Sequence, residues 1–318
     1  MKTTVIIPNY NGIDFLKNCL ESATKSAVPA SIIVVDNGSS DESREWVKEN
    51  CPEAQLIAFP ENRGFCAAVN AGILAARTPY VFLLNNDTTI EPDCIGRLES
   101  AMESANGIFS VGAKMLSMRE PELVDTAGDL YSAFGWAYAV GKGKESARYR
   151  KRRTVFSNCG GAVLYRKDYL ERTGLFDENH FAYLEDVDLG YRARILGYRN
   201  VVEPAAVVYH AGSGFSGSRY NAFKIAHSSR NNVYLIYKNM PLLQLVINAP
   251  FLLAGFGIKY LFFVKKGFGK LYREGLAQGV ALCRSPEGKK RKVRFAWKNI
   301  GHYAKIQLEL WANLFRRF

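Results

Sequence analysis

Short apolar runs alternate with helical patterns along the first hundred residues. TVIIP (4–8) reads as a compact strand followed by the polar turn Asn9-Tyr10-Asn11-Gly12. Phe15, Leu16, Cys19, Leu20 and Ala23 then recur at helical spacing, with Asn11 placed to cap that helix. SIIVVD (31–36) is a buried strand ending on Asp36, and a helix over 41–50 follows the turn Asn37-Gly38-Ser39-Ser40. QLIAF (55–59), a helix over 65–76 and YVFLL (80–84) complete the repeat. Near-continuous apolar strands alternating with helices predict a parallel sheet covered on both faces. Ligands of such sheets bind beyond the carboxyl ends of the strands. The polar residues at those ends are Asn9 and Asn11, Asp36 and Asn37, and Asn85, Asn86 and Asp87.

The pattern weakens over 117–157, where the basic run RYRKRR (148–153) reads as a solvated loop with an occasional phosphate contact. A strand over 161–166, a helix over 167–173 and a second helix from about Glu185 follow. Residues 201–210 are extended, and Gly212, Gly214 and Gly217 mark a mobile loop. No internal repeat is present.

Charge changes this picture at the C-terminus. Residues 1–240 hold 27 Lys/Arg and 27 Asp/Glu, whereas 241–318 hold 15 and 3, the whole net charge of +12. The 18 residues 241–258 carry no charge, which approaches a membrane span. Gln244, Asn248 and Pro250 interrupt that run, and a cationic, aromatic stretch follows it. This mixture predicts helices lying on a membrane surface rather than crossing it. A helical core extension would explain the apolar run but not the concentrated charge. Nucleic-acid binding by the tail is a further alternative, not expected from a neutral body. Six scattered cysteines without a C-x-x-C pair argue against a zinc knuckle or disulfide framework and suit a reducing cytosol. The N-terminus does not read as a signal peptide.

Two acidic segments carry candidate chemistry. FLLNNDTTIEPD (82–93) sets Asp87 at a strand end, where it can offer an oxygen ligand to Mg²⁺ or Mn²⁺. The alternative is a turn that opens a helix. YLEDVDL (183–189) groups Glu185, Asp186 and Asp188 at a helix start. Such acids can stabilise the helix dipole. Behind Phe181 and Tyr183 they also suit a partly desolvated general base. His210 ends a strand beside a glycine-rich loop and is a candidate metal or phosphate ligand.

TVIIPNYNG, IIVVDNGSSD, NRGFCAAVNAGI, YVFLLNNDT, NCGGAVLYRKD and GLFDENHFAYLEDVDLGYRARILGYR occur in this order. Together they resemble the family 2 glycosyltransferases of GT-A fold, in particular the rhamnosyltransferase-like branch of bacterial cell-surface polysaccharide synthesis. The resemblance covers roughly residues 3–235. It implies an α/β GT-A (Rossmann-like) fold with a mostly parallel central sheet flanked by helices. A catalytic domain would span 1–232, its nucleotide-binding half about 1–115 and its acceptor side about 116–232. Residues 233–318 would form a helical membrane-associating tail.

By position, the resemblance implies that Pro8, Asn9 and Tyr10 frame the nucleotide base and that Asp36, beside Asn37, reads it. Asn62, Arg63 and Gly64 would lie along the nucleotide and phosphates. The D-x-D motif, which binds metal and ribose, reads Asn85-Asn86-Asp87, so coordination rests on Asp87, with His210 completing the metal site. Gly160 and Gly161 would admit the donor sugar, Glu185 would lie on the sugar or acceptor side, and Asp186 would be the base. The expected donor is dTDP-L-rhamnose or a UDP-sugar. The acceptor would be a glycan or a polyprenyl-diphosphate-linked glycan at the inner, cytoplasmic face of the cell membrane. In-line attack with Asp186 taking the proton inverts the anomeric centre, and Arg63 or Arg230 would offset charge on the leaving group. A sugar nucleotidyltransferase shares such a sheet, but PNYNGID lacks the basic phosphate loop expected after the first strand. A non-catalytic membrane-bound module that binds nucleotide-sugar or carbohydrate would make Asp87, Asp186 and His210 incidental.

Overall fold

The structure, a computed structural model, describes residues 1–212 and 221–316, so Gly214 and Gly217 of the expected loop lie outside it. In chain order it begins with β1 (Thr3–Asn9), α1 (Ile13–Thr24), β2 (Ser31–Asp36), α2 (Ser43–Asn50), β3 (Gln55–Ala58) and α3 (Phe65–Ala75). β4 (Tyr80–Leu84), β5 (Thr88–Ile90), α4 (Cys94–Glu103), β6 (Ile108–Ser117) and β7 (Val124–Thr126) follow. The middle of the chain forms β8 (Asp129–Tyr131), β9 (Ala137–Ala139), β10 (Arg153–Val155), β11 (Ala162–Arg166), α5 (Lys167–Thr173), α6 (Glu185–Ile195) and β12 (Arg199–His210). The C-terminal helices are α7 (Ala222–Asn239), α8 (Leu242–Lys265), α9 (Gly269–Arg284), α10 (Pro286–Lys290) and α11 (Ile300–Phe315).

Alternation along the buried strands fills two cores. Val5 and Ile7 of β1 pack on one face with α1 and α4, while Ile6 packs on the other with α3 and α6. Among the described residues, ten strands form one sheet in the order β10-β12-β6-β11-β4-β1-β2-β3, with β5 on β12 and β7 on β6. β1 to β4 are parallel, as the apolar runs predict. Beyond them β11 runs antiparallel to β4 and β6, and β12 lies parallel to β6. The carboxyl ends of β1, β2 and β4 therefore open on one edge with Asn9, Asp36 and Asn85. This is a mixed α/β GT-A fold with a C-terminal helical region.

Asn11 does not cap α1. Gly12 holds the N-cap position, and Asn11 sits at φ 48°, a left-handed conformation that Asn tolerates well. Its Oδ1 accepts the Ser40 N–H at 2.8 Å, which ties the first turn to the turn after β2.

The expected boundary at 232/233 falls inside α7, a single continuous helix. The tail helices close a third core, in which Leu235, Leu252, Tyr303 and Leu310 pack with Tyr131, Phe156 and Tyr191. The polar residues of α8 are satisfied there, as buried polar groups must be. Gln244 donates to Tyr303 O at 3.0 Å and accepts from Tyr191 Oη at 2.8 Å, and Asn248 pairs with Gln307 at 2.8 Å. The other face of α8 exposes Leu242, Leu243, Val246, Leu253 and Leu261. Among the described residues, α8 is the one helix long and apolar enough to cross a membrane, by length and composition.

Candidate active site

A cavity of about 590 Å³ opens at the carboxyl edge of the sheet. Pro8, Asn9, Tyr10, Asn37, Asn62 and Asn85 to Asp87 line it from the first half of the chain. Gly160, Gly161, Glu185, Asp186 and His210 line it from the second. Asp36, Arg63 and Gly64 are not on this wall.

On the first side, a chain of hydrogen bonds fixes the wall. Asn86 Nδ2 donates to Asn9 Oδ1 at 2.8 Å, and Asn9 Nδ2 donates to Asp36 Oδ1 at 3.3 Å. Asp36 Oδ2 accepts from Arg44 Nε at 2.5 Å and from Ser39 N at 3.1 Å. Both oxygens of the buried Asp36 are thus engaged behind the wall. Asn37 Nδ2 donates to Asn62 Oδ1 at 3.0 Å, and the Arg63 N–H donates to Asn37 Oδ1 at 2.9 Å. The Arg63 guanidinium lies over Phe59, 5.0 Å from the ring centre. Gly64 has φ 87°, and a Cβ there would lie 2.6 Å from the Phe181 ring, so glycine lets this loop close on the second half.

At the end of β4, Asp87 meets His210, which β12 presents through its pairing with β5. His210 Nε2 lies 3.3 Å from Asp87 Oδ2, and Nδ1 lies 2.9 Å from Asp125 Oδ2. Burial opposes charge on His210, but the hydrogen bonds to Asp125 and Asp87 outweigh it and push the pKa up to about 9. The second oxygen, Asp87 Oδ1, is buried and has no hydrogen-bond partner among the described residues. Asp87 does not cap a helix: Thr88 continues into β5, and Asp93 occupies the N-cap position of α4.

Asp186 stands in the first turn of α6. Its Oδ1 accepts from Val187 N at 2.7 Å and its Oδ2 from Gly160 N at 3.4 Å. Burial raises its pKa to about 6, against those backbone hydrogen bonds. Burial, then the charge of Asp186, pushes the neighbouring Glu185 well above the usual carboxylate range. Glu185 Oε2 is buried without a hydrogen-bond partner among the described residues. The approach to α6 is strained: Phe181, Tyr183 and Leu184 have φ of 63°, 70° and 64°. Asn231 of α7, fully buried, places Nδ2 2.8 Å from each of the carbonyls of His180, Ala182 and Tyr183. A lone Asn inside a helical pattern gives no sequence signal for this role.

The expected phosphate cations are placed elsewhere. Arg230 donates to the Asn179 carbonyl and does not line the cavity; Lys142 and Lys224 do. Within the basic run, Arg152 pairs with Glu203 at 2.5 Å, away from the cavity wall. Asp125 and Asp129 come from the irregular stretch where no periodicity singled them out.

Residues 4–174 match the family model Glycosyl transferase family 2. The chain belongs to that family. An N-acetylglucosaminyl-diphospho-decaprenol L-rhamnosyltransferase of Mycobacterium tuberculosis is 27% identical over 232 residues, 65% of this chain and 75% of the relative. Among solved structures, S. aureus TarS 1-349 in complex with UDP-GlcNAc superposes with a TM-score of 0.59 at 15% identity, over 97% of this chain and 91% of that one. Mannosyltransferase PcManGT from Pyrobaculum calidifontis, in complex with GDP-Man and Mn²⁺, gives 0.56 at 16% identity, over 96% and 87%. At these identities the two structures speak for the fold. The chain is a family 2 glycosyltransferase with rhamnosyltransferase-like relatives.

Proposed function

We propose that this glycosyltransferase moves a sugar, with inversion, from a nucleotide diphosphate donor to a glycan on a polyprenyl diphosphate. The observation that carries the reading is one cavity lined both by an Asp–His pair of metal-ligand type and by a half-buried carboxylate of raised pKa. Asp87 and His210 form the first; Asp186, with its raised pKa, forms the second.

The first pair suits a hard cation. Asp87 Oδ1 is a buried oxygen in need of a partner, and Asp125 orients the His210 ring from its far side. Two protein ligands leave room for diphosphate oxygens and water. Mg²⁺ or Mn²⁺ held there would offset charge on the diphosphate leaving group. Pro8, Asn9 and Tyr10, with Asn37, Asn62, Asn85 and Asn86, bound the nucleotide. Asp36 holds Asn9 in place, and Arg63 and Gly64 shape the loop beside it. Gly160 and Gly161 give the sugar close access to backbone, with Glu185 beneath. Asp186 takes the proton of the acceptor hydroxyl as that oxygen attacks the anomeric carbon and the bond to the diphosphate breaks.

The Mycobacterium relative and the rhamnosyltransferase-like motifs favour dTDP-L-rhamnose as donor and a polyprenyl-diphosphate-linked acceptor; UDP-sugars are the second choice. The exposed apolar face of α8 and the basic residues beyond it would hold the enzyme on the inner face of the membrane. A panel of dTDP-L-rhamnose, UDP-GlcNAc, UDP-Glc and GDP-Man, with Mg²⁺, Mn²⁺ or EDTA, tests this by thermal stabilisation and slow donor hydrolysis. One donor should stabilise and turn over with metal and lose turnover in EDTA. Binding without turnover would favour a carbohydrate- or nucleotide-binding module. Release of diphosphate from a sugar 1-phosphate and a nucleoside triphosphate would favour a nucleotidyltransferase.

A further inference from the structure

Of the four carboxylates that line the cavity among the described residues, Asp87, Asp129, Glu185 and Asp186, Asp129 is the one to which the proposed reaction gives no place. Asp129 is partly buried; its Oδ2 is shut off from solvent and has no hydrogen-bond partner among the described residues. Such a group costs stability unless a ligand completes it. Its backbone is held firmly. Asp129 N donates to Ser157 O at 2.9 Å, and Phe156 N donates to Asp129 O at 2.9 Å. Gly128 before it, at φ 90°, packs so tightly that a Cβ would lie 2.6 Å from Val155. The side chain is therefore aimed by rigid backbone, as a recognition group should be.

Its position selects a ligand class. The residues to which we assign the nucleotide are 8–10, 37, 62 and 85–87, whereas Asp129 and Tyr138 reach the cavity from the hairpin β8–β9, with Lys142 just beyond it. It lies close enough to Asp186 for their charges to act on one another. Burial, then the charges of Asp186 and Asp125, holds its proton well above the usual carboxylate range. A protonated carboxyl both donates and accepts hydrogen bonds, as a sugar hydroxyl does.

The hairpin β8–β9 that carries Asp129 is braced by the tail helices. Ala133 N donates to Leu310 O at 3.0 Å, Asn313 Nδ2 to Tyr131 O at 2.9 Å, and Trp136 Nε1 to Gly255 O at 3.1 Å. This part of the cavity wall is thus built on the helices that we place at the membrane, where a lipid-linked acceptor would arrive.

We propose that Asp129 is an acceptor-specificity residue, hydrogen-bonding a hydroxyl of the acceptor sugar beside the one that Asp186 deprotonates. The inference rests on the glycosyl-transfer reading above. The test compares full-length wild type, Asp129→Asn and Asp129→Leu, with farnesyl-diphospho-N-acetylglucosamine as acceptor and the donor that turns over in the panel. Asp129→Leu should raise the acceptor KM about 10-fold or more, the loss expected when a buried hydrogen-bond partner goes. Donor KM, donor hydrolysis and stabilisation by the free nucleoside diphosphate should stay within about twofold of wild type. Asp129→Asn, which still donates and accepts, should recover most of the acceptor KM. An unchanged acceptor KM in Asp129→Leu, or a parallel loss of donor binding, overturns this inference and leaves the reaction standing. A wild type that turns over no donor overturns the reading beneath both.

Discussion

Asp188 and Lys238 form a buried ion pair at 2.8 Å, two residues beyond Asp186 on α6. Lys238 also meets Asp177 at 2.7 Å, Arg192 meets Asp188 at 2.8 Å, and Asn239 Nδ2 donates to Asp188 Oδ1 at 2.7 Å. Burial opposes charge on Asp188, but Arg192 and Lys238 overcome it and hold the carboxyl far below its usual range. The network fastens α7, and through it the tail, to the helix that presents Asp186.

Removing one member strands the others. Lys238→Met leaves two buried carboxylates sharing the remaining cations, and should cost about 3–5 kcal/mol of stability. Urea unfolding of the two proteins measures this; a loss under 1 kcal/mol would show that the pair is not the clamp.

The raised pKa of Asp186 sets the direction of the pH profile. A base acts only when deprotonated, so kcat/KM should fall below pH about 6 and level off above it, given the pKa of about 6. An ordinary carboxylate would keep full activity to about pH 5. Rates measured from pH 4.5 to 8.5 at saturating metal locate the limb.

Asn231 holds the carbonyls of His180, Ala182 and Tyr183 on the strained approach to α6. Asn231→Ala should lower kcat by about 10- to 100-fold, because a small displacement of a reacting group is costly. Stabilisation by nucleoside diphosphate should be unchanged. Full kcat in this variant would mean that the strain is held elsewhere.

Deleting 241–318 is a poor test of membrane binding, since it strips Leu252, Tyr303 and Leu310 from the third core. Exposed charges serve better. Replacing Lys265, Lys266, Lys289 and Lys290 by Gln should weaken binding to vesicles containing anionic lipid by up to about 1,000-fold, at roughly 1 kcal/mol per charge. Flotation at two salt concentrations reads this out, and unchanged binding would remove the electrostatic part of the membrane reading.

Much of the fold was legible because buried strands are apolar on both faces and leave runs such as YVFLL at their full length. The turn at Asn11 was not, because a left-handed residue and a helix cap share the same preference for Asn. Gln244 and Asn248 looked like interruptions of an apolar helix; their partners, Tyr303 and Gln307, lie 59 residues away and leave no local trace. Of the candidate site, the residues at strand ends were readable from position. The resemblance puts Asp36 against the nucleotide base; in the structure Arg44 and Asn9 occupy its oxygens, contacts that no local pattern announces. Asp129 and Asn231 could not be found, since their meaning depends on long-range contacts.

The most direct measurement is sugar transfer by Asp186→Asn beside wild type, with the turned-over donor, saturating Mn²⁺ and the farnesyl-linked acceptor. Transfer should fall at least about 100-fold, while stabilisation by the nucleoside diphosphate stays within experimental error of wild type. Transfer near the wild-type rate would contradict the assignment of Asp186 as the base.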